Sequence, residues 1–104
     1  MPAKITAAEF DAEVLGSEIP VLADFYSDSC IPCKRMSPIL SQLESEYAGK
    51  LKIVKINTNF EKDLTEKYGV LAAPTLILFK DGEEVSRIRG AVKKDELIGL
   101  INSI

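Results

Sequence analysis

Val21-Leu22-Ala23-Asp24-Phe25-Tyr26-Ser27-Asp28-Ser29-Cys30-Ile31-Pro32-Cys33 is the stretch on which the fold turns. Its first six residues form a nearly continuous apolar run, closed by Pro20 before it and by the polar Ser27-Asp28-Ser29 after it. That is the pattern of a strand buried on both faces. Beyond Cys33 the apolar residues Met36, Ile39, Leu40, Leu43 and Tyr47 fall on one helical stripe, with Ser41, Gln42, Glu44 and Ser45 on the other side. An amphipathic helix is therefore expected up to Gly49. Pro38 lies inside it and, lacking an amide donor, should kink the helix without ending it. Residues 51–57, Leu-Lys-Ile-Val-Lys-Ile-Asn, read as the next strand, and strand-helix-strand is a right-handed parallel crossover.

Outward from this unit, Thr6-Ala7-Ala8-Glu9 has the spacing of a capping box, with Phe10, Val14 and Leu15 at helical intervals behind it. A short first helix should end near Gly16, and Ile5 suggests a brief strand before it. Residues 62–68 read as a short helix stopped by Gly69. Thr75-Leu76-Ile77-Leu78-Phe79-Lys80 is another buried strand, and Asp81-Gly82 is a two-residue hairpin signal leading into residues 83–88. Residues 93–104 place Leu97, Ile98, Ile101 and Ile104 on one stripe, a closing helix. The expected class is α/β, with a mixed sheet of four or five strands and helices on both faces.

Composition narrows the chemistry. The 104 residues suffice for one domain, 1–104, with a single core to build. Thirteen basic against sixteen acidic side chains give a net charge of -3, so no basic excess exists to neutralise phosphates and no nucleic acid is expected. Histidine and tryptophan are absent, which excludes histidine bases, His-ligated metals and Cys-His activation. The N-terminus carries no apolar stretch behind a basic one, and no window approaches a membrane span, so a cytoplasmic protein without a membrane partner is expected. No exposed apolar stripe is legible, which favours a monomer.

Cys30 and Cys33, the only cysteines, stand where the buried strand's exit loop becomes the helix, the end of an α/β sheet at which reacting groups gather. With Cys30 as the helix cap and Cys33 as the third helical residue, the sulfurs come within bonding reach. Pro32 is at ease in a first turn, whose amide donors are unpaired in any case. Cys30 faces those free amides and the positive end of the helix dipole, which should lower its pKa below the free-thiol value of about 8.5 and make it the nucleophile. Cys33, pointing back under the sheet, should stay protonated until a mixed disulfide forms and then resolve it. The pair has two other readings. Zinc needs four ligands where the chain offers two, and a purely structural disulfide would close too short a loop to stabilise much.

Asp24, a carboxyl amid Val21, Leu22, Ala23, Phe25 and Tyr26, should be desolvated and its pKa raised. It could carry the Cys33 proton during exchange, or form a structural ion pair with Lys55 on the neighbouring strand. From the residues alone, Pro74 reads as a trans proline at the first position of its strand.

With these segments assembled, the chain resembles the thioredoxin family over essentially its whole length. The resemblance rests on Asp24-Phe25, Cys30-Ile31-Pro32-Cys33-Lys34, Pro38-Ile39-Leu40, Lys55-Ile56-Asn57, Tyr68-Gly69-Val70, Pro74-Thr75-Leu76, Phe79-Lys80-Asp81-Gly82 and Gly90-Ala91. It implies the thioredoxin fold, attack by Cys30, resolution by Cys33, and Asp24 as a buried proton carrier near Lys55. It also implies a cis Pro74 beside the disulfide and a substrate groove shaped by Gly90. Ser29, Ile31, Pro32, Ala73, Pro74 and Gly90 are the residues expected to meet the substrate.

The chain departs from the family pattern at Ser29, where tryptophan is usual, at Ile31, where glycine is usual, and at Ala73, where isoleucine is common. Loss of a flat ring beside the site and gain of branched bulk next to Cys30 should change partner choice. Asn59 replaces a frequent aspartate, a change without a physical explanation. The expected activity is reduction of protein disulfides by dithiol exchange, recharged by a separate thioredoxin-reductase-type donor, with no bound cofactor. The alternatives are a non-catalytic interaction module on the same fold and a more oxidising oxidase or isomerase.

Overall fold

In the computed structural model, which describes residues 2–104, the run Val21–Tyr26 forms strand β2, buried at all six positions. It is the centre of a five-stranded sheet of order β1-β3-β2-β4-β5. β3 (Lys52–Asn57) lies parallel to β2, with Asp24 opposite Lys55 and Tyr26 opposite Asn57. The two-residue β1 (Ala3–Lys4) pairs in parallel with β3 at the edge. On the other side β4 (Thr75–Lys80) runs antiparallel to β2, and β5 (Glu83–Arg89) runs antiparallel to β4 through the expected Asp81-Gly82 turn. The mixed sheet is thus the anticipated one.

Alternation along the strands divides the core into two layers. Val21, Ala23, Phe25, Val54, Ile56, Ile77 and Phe79 face one side, with Phe10, Val14 and Leu64 from the helices packed upon them. Leu22, Ile53, Leu76 and Leu78 face the other, beneath Met36, Leu40, Leu43, Leu97 and Ile101. The first side is covered by α1 (Ala7–Phe10, continuing as a π-helical turn over Asp11–Leu15) and α3 (Lys62–Lys67). The second is covered by α2 (Ile31–Glu46) and α4 (Lys94–Asn102). Asp24 and Lys55, paired in the register and each two residues beyond Leu22 and Ile53, both belong to this second face.

The helices differ from expectation in detail. α2 begins two residues earlier than its apolar stripe, since Cys30 caps it and Pro32 occupies its first turn; it runs through Pro38 to Glu46. The first helix widens at its end: the Gly16 amide donates to the Asp11 carbonyl, five residues back, at 2.8 Å. Glu9 accepts from the Thr6 amide at 3.0 Å and from its hydroxyl at 3.1 Å, one arm of the capping box. α4 stops at Asn102, so Ile104 lies beyond it and is exposed. Three large apolar side chains protrude, which the sequence did not signal: Ile31 after β2, Phe60 after β3 and Leu71 before β4. The pairing of β2 with β3 and β4 puts all three segments at one end of the sheet, the end at which Cys30 lies. Among the described residues no helix is long and apolar enough to cross a membrane.

Candidate active site

Cys30 takes an extended backbone conformation (φ -87°, ψ 109°) and caps α2. Its Sγ accepts a hydrogen bond from the Cys33 amide at 3.1 Å, one of the first-turn donors that no helical carbonyl satisfies. Cys30 and Cys33 are joined in a disulfide, their Cα atoms 5.2 Å apart. The two sulfur-bearing residues differ in surroundings: Cys30 is half-buried, while Cys33 is only 4% exposed. Ser29 and Ile31 flank Cys30 on the outside, Ile31 at 67% exposure. Asp28, in the same loop, accepts from the Asn57 amide group at 3.1 and 3.2 Å, which ties the loop to the end of β3.

On the opposite side of the disulfide loop stands the segment before β4. The Ala73–Pro74 peptide is cis, so the trans reading taken from the residues alone is corrected and the one implied by the resemblance stands. Pro74 is buried and Ala73 half-buried. The Gly90 amide donates to the Pro74 carbonyl at 2.8 Å, from a backbone with φ +92°. Only glycine takes that conformation without strain, so the identity of Gly90 follows from the link between β5 and the proline segment. Beside Ala73 a groove of about 300 Å³ is lined by Ser27, Asn59, Val70, Leu71 and Ala72.

Asp24 is fully buried, and neither carboxyl oxygen has a hydrogen-bond partner. Desolvation pushes its pKa up to about 7, against a smaller opposing pull from the Lys55 charge. The structural ion pair considered for these two residues does not form. Lys55 instead donates to the Ser37 hydroxyl at 3.3 Å and stands 4.5 Å from the centroid of the Tyr26 ring. Cys33, Ser37, Lys55, Tyr26 and Asp28 line one cleft of about 130 Å³ that opens beside the disulfide. Among the described residues no group of three or more His, Cys, Asp or Glu side chains could hold a metal.

The expected site residues lie on five segments: Cys30 to Cys33 at the start of α2, Asp24 on β2, Lys55 on β3, Ala73-Pro74 before β4 and Gly90 after β5; Cys33 and Lys55 line one cleft, and Gly90 is hydrogen-bonded to Pro74. Ser37 and Tyr26 escaped the sequence reading. Ser37 could have been found, because it lies four residues after Cys33 and so on the same face of α2; Tyr26 lies two residues after Asp24 on β2 and so shares its sheet face.

The family model described as Thioredoxin matches residues 1–103. Thioredoxin C-2 of Corynebacterium nephridii is 43% identical over 97 residues, 93% of this chain and 90% of that protein. Thioredoxin of Haemophilus influenzae is 42% identical over 98 residues, 94% and 92% of the two chains. Thioredoxin 1 of Nostoc sp. is 40% identical over 95 residues, 91% and 89%. With this match, this sheet and helix arrangement and this Cys30–Cys33 pair, the chain belongs to the thioredoxin family and is a thiol-disulfide oxidoreductase.

Proposed function

We propose that the protein, acting as a single domain over residues 1–104, reduces disulfides of partner proteins through a fixed order of attack. The Cys30 thiolate attacks a substrate sulfur, a mixed disulfide forms, and one substrate thiolate leaves. Cys33 then loses its proton, attacks the Cys30 sulfur and releases the second substrate thiol, which leaves the Cys30–Cys33 disulfide. Asp24, on the sheet face covered by the helix that carries Cys33, takes that proton. A carboxyl titrating near 7 is matched to this task at neutral pH. Lys55 tunes it electrostatically.

The observation that carries this reading is the cap. A sulfur that accepts a helix-end amide at 3.1 Å has a preformed stabiliser for its anion, whereas the sulfur of Cys33 sits in a nearly dry position. Ser29, Ile31 and Pro32 on one side and Ala73, Pro74 and Gly90 on the other form the rim against which a substrate segment lies. The exposure of Ile31, Phe60 and Leu71 at this end of the sheet supports a protein substrate over a small thiol. A separate thioredoxin-reductase-type donor restores the dithiol; the carrier is a cytoplasmic monomer in electron transport and holds no cofactor.

The test is capture of the intermediate. Cys33→Ser should accumulate mixed disulfides with target proteins on a non-reducing gel, and Cys30→Ser should not. Equal trapping by both variants would contradict the order of attack. Turnover of insulin disulfides above a dithiothreitol control separates the reductase from an inert interaction module.

A further inference from the structure

Asp24 and Lys55 are register partners on adjoining parallel strands and lie on the same face of the sheet, yet they do not pair. Strands are about 4.8 Å apart, so the four-carbon stem of Lys55 is long enough to bring its ammonium to the carboxyl. What holds it elsewhere is the Ser37 hydroxyl at 3.3 Å, together with the Tyr26 ring face at 4.5 Å. Both groups lie in the cleft that Cys33 also lines. We propose that Ser37 is a positioning residue: its hydroxyl anchors the Lys55 ammonium in the cleft, withholds it from the Asp24 carboxylate, and so sets the pH at which Asp24 releases its proton.

The groups that face Asp24 are few. From β3 comes Lys55, whose charge acts on it. From β4 comes Leu76, directly opposite and uncharged. α2 lays the uncharged Met36, Leu40 and Leu43 over this face, and its Cys33 does not titrate while it is in the disulfide. α4 contributes Leu97 and Ile101 to this face, and its Lys94 is held by Glu46 at 2.7 Å. Farther out, Asp28 and Lys34 line the mouth of the cleft, and Lys4 of β1 stands 6.0 Å from the Tyr26 ring. Lys55 is therefore the charge whose position matters most, and Ser37 is the side chain that hydrogen-bonds it.

The proposal deepens the reading of Asp24 as proton acceptor, but it is read out on Asp24 itself. In the oxidised protein, where Cys33 cannot couple to it, the Asp24 carboxyl carbon is followed by NMR across pH. Ser37→Ala should lower the midpoint by about 1 pH unit or more, the effect of a cation coming within about 4–6 Å of a carboxylate. Ser37→Thr, which keeps the hydroxyl, should hold the wild-type midpoint. Lys55→Met should raise it, and in that background Ser37→Ala should add nothing. A wild-type midpoint in Ser37→Ala overturns the proposal, as does an equal shift with Lys55 absent. If the midpoints move as expected while the pH dependence of insulin reduction does not follow them, the positioning role stands and the proton-acceptor role of Asp24 falls.

Discussion

Burial keeps Asp24 a neutral acid up to a pH near 7, whereas in the unfolded chain the same group ionises near about 3.9. Between those values the folded protein binds one proton more than the unfolded one. Its stability from this group is therefore fully present below about pH 4 and is lost as the pH rises through 7, by about 1.4 kcal/mol per pH unit. Asn at this position has no charge to desolvate at any pH. Asp24→Asn should thus be more stable relative to wild type at pH 8 than at pH 5.5, with the difference growing by about 2 kcal/mol between them. Urea unfolding of the oxidised proteins at the two pH values checks this; parallel profiles would show that Asp24 is not held neutral. The same variant should slow disulfide exchange between pH 6 and 8. Asp24 was conspicuous in the sequence because a carboxyl interrupts an apolar run. Its lack of a partner was not, because that depends on where Ser37 and Tyr26 take the ammonium of Lys55.

At the scale of elements, β2, β3 and β4 were marked by apolar runs and the punctuation around them, β5 by the Asp81-Gly82 turn ahead of it, and β2 and β4 match the expected residues throughout. The π-helical turn over Asp11–Leu15 was hidden, because Phe10 and Val14 are both buried there just as an ordinary helix would bury them. The hairpin shows how closely a two-residue signal can specify geometry. Asp81 and Gly82 have φ of +54° and +80°, and a Cβ at Gly82 would stand 3.1 Å from the Leu15 carbonyl oxygen, whereas one at Gly69, φ +64°, would meet nothing within 4 Å. Gly69→Ala should accordingly cost about 1 kcal/mol from backbone strain alone. Gly82→Ala should cost more, because the turn must also move away from the end of the first helix. Thermal or urea unfolding of the two variants decides; an equal or smaller loss at Gly82 would mean that the contact with Leu15 is relieved without strain.

For the molecule as a whole, the β2–β3 crossover and the β4–β5 hairpin were legible, but the placing of one beside the other was not. That β4 lies beside β2 depends on pairings between residues fifty or more positions apart, such as Asp24 with Leu76, and no local pattern encodes them. The link between Gly90 and Pro74 joins distant segments in the same way and has no local signal, while the disulfide site, built within one strand-to-helix turn, could be read directly. This division also says what holds the fold. The two apolar layers on either side of the sheet bury most of the large apolar side chains, and the disulfide joins residues only three apart in sequence. Closing so short a loop restricts the unfolded chain by about 2 kcal/mol at most, against a total of about 5–15 kcal/mol for a domain. The dithiol form that attacks substrates must therefore stay folded through each cycle. Reduction by dithiothreitol should leave near-ultraviolet circular dichroism and compactness unchanged and lower the unfolding free energy in urea by no more than about 2 kcal/mol. Loss of the near-ultraviolet signal on reduction would mean that the cross-link, and not the paired apolar layers, maintains the sheet, and a carrier that unfolds when it is charged could not perform the exchange.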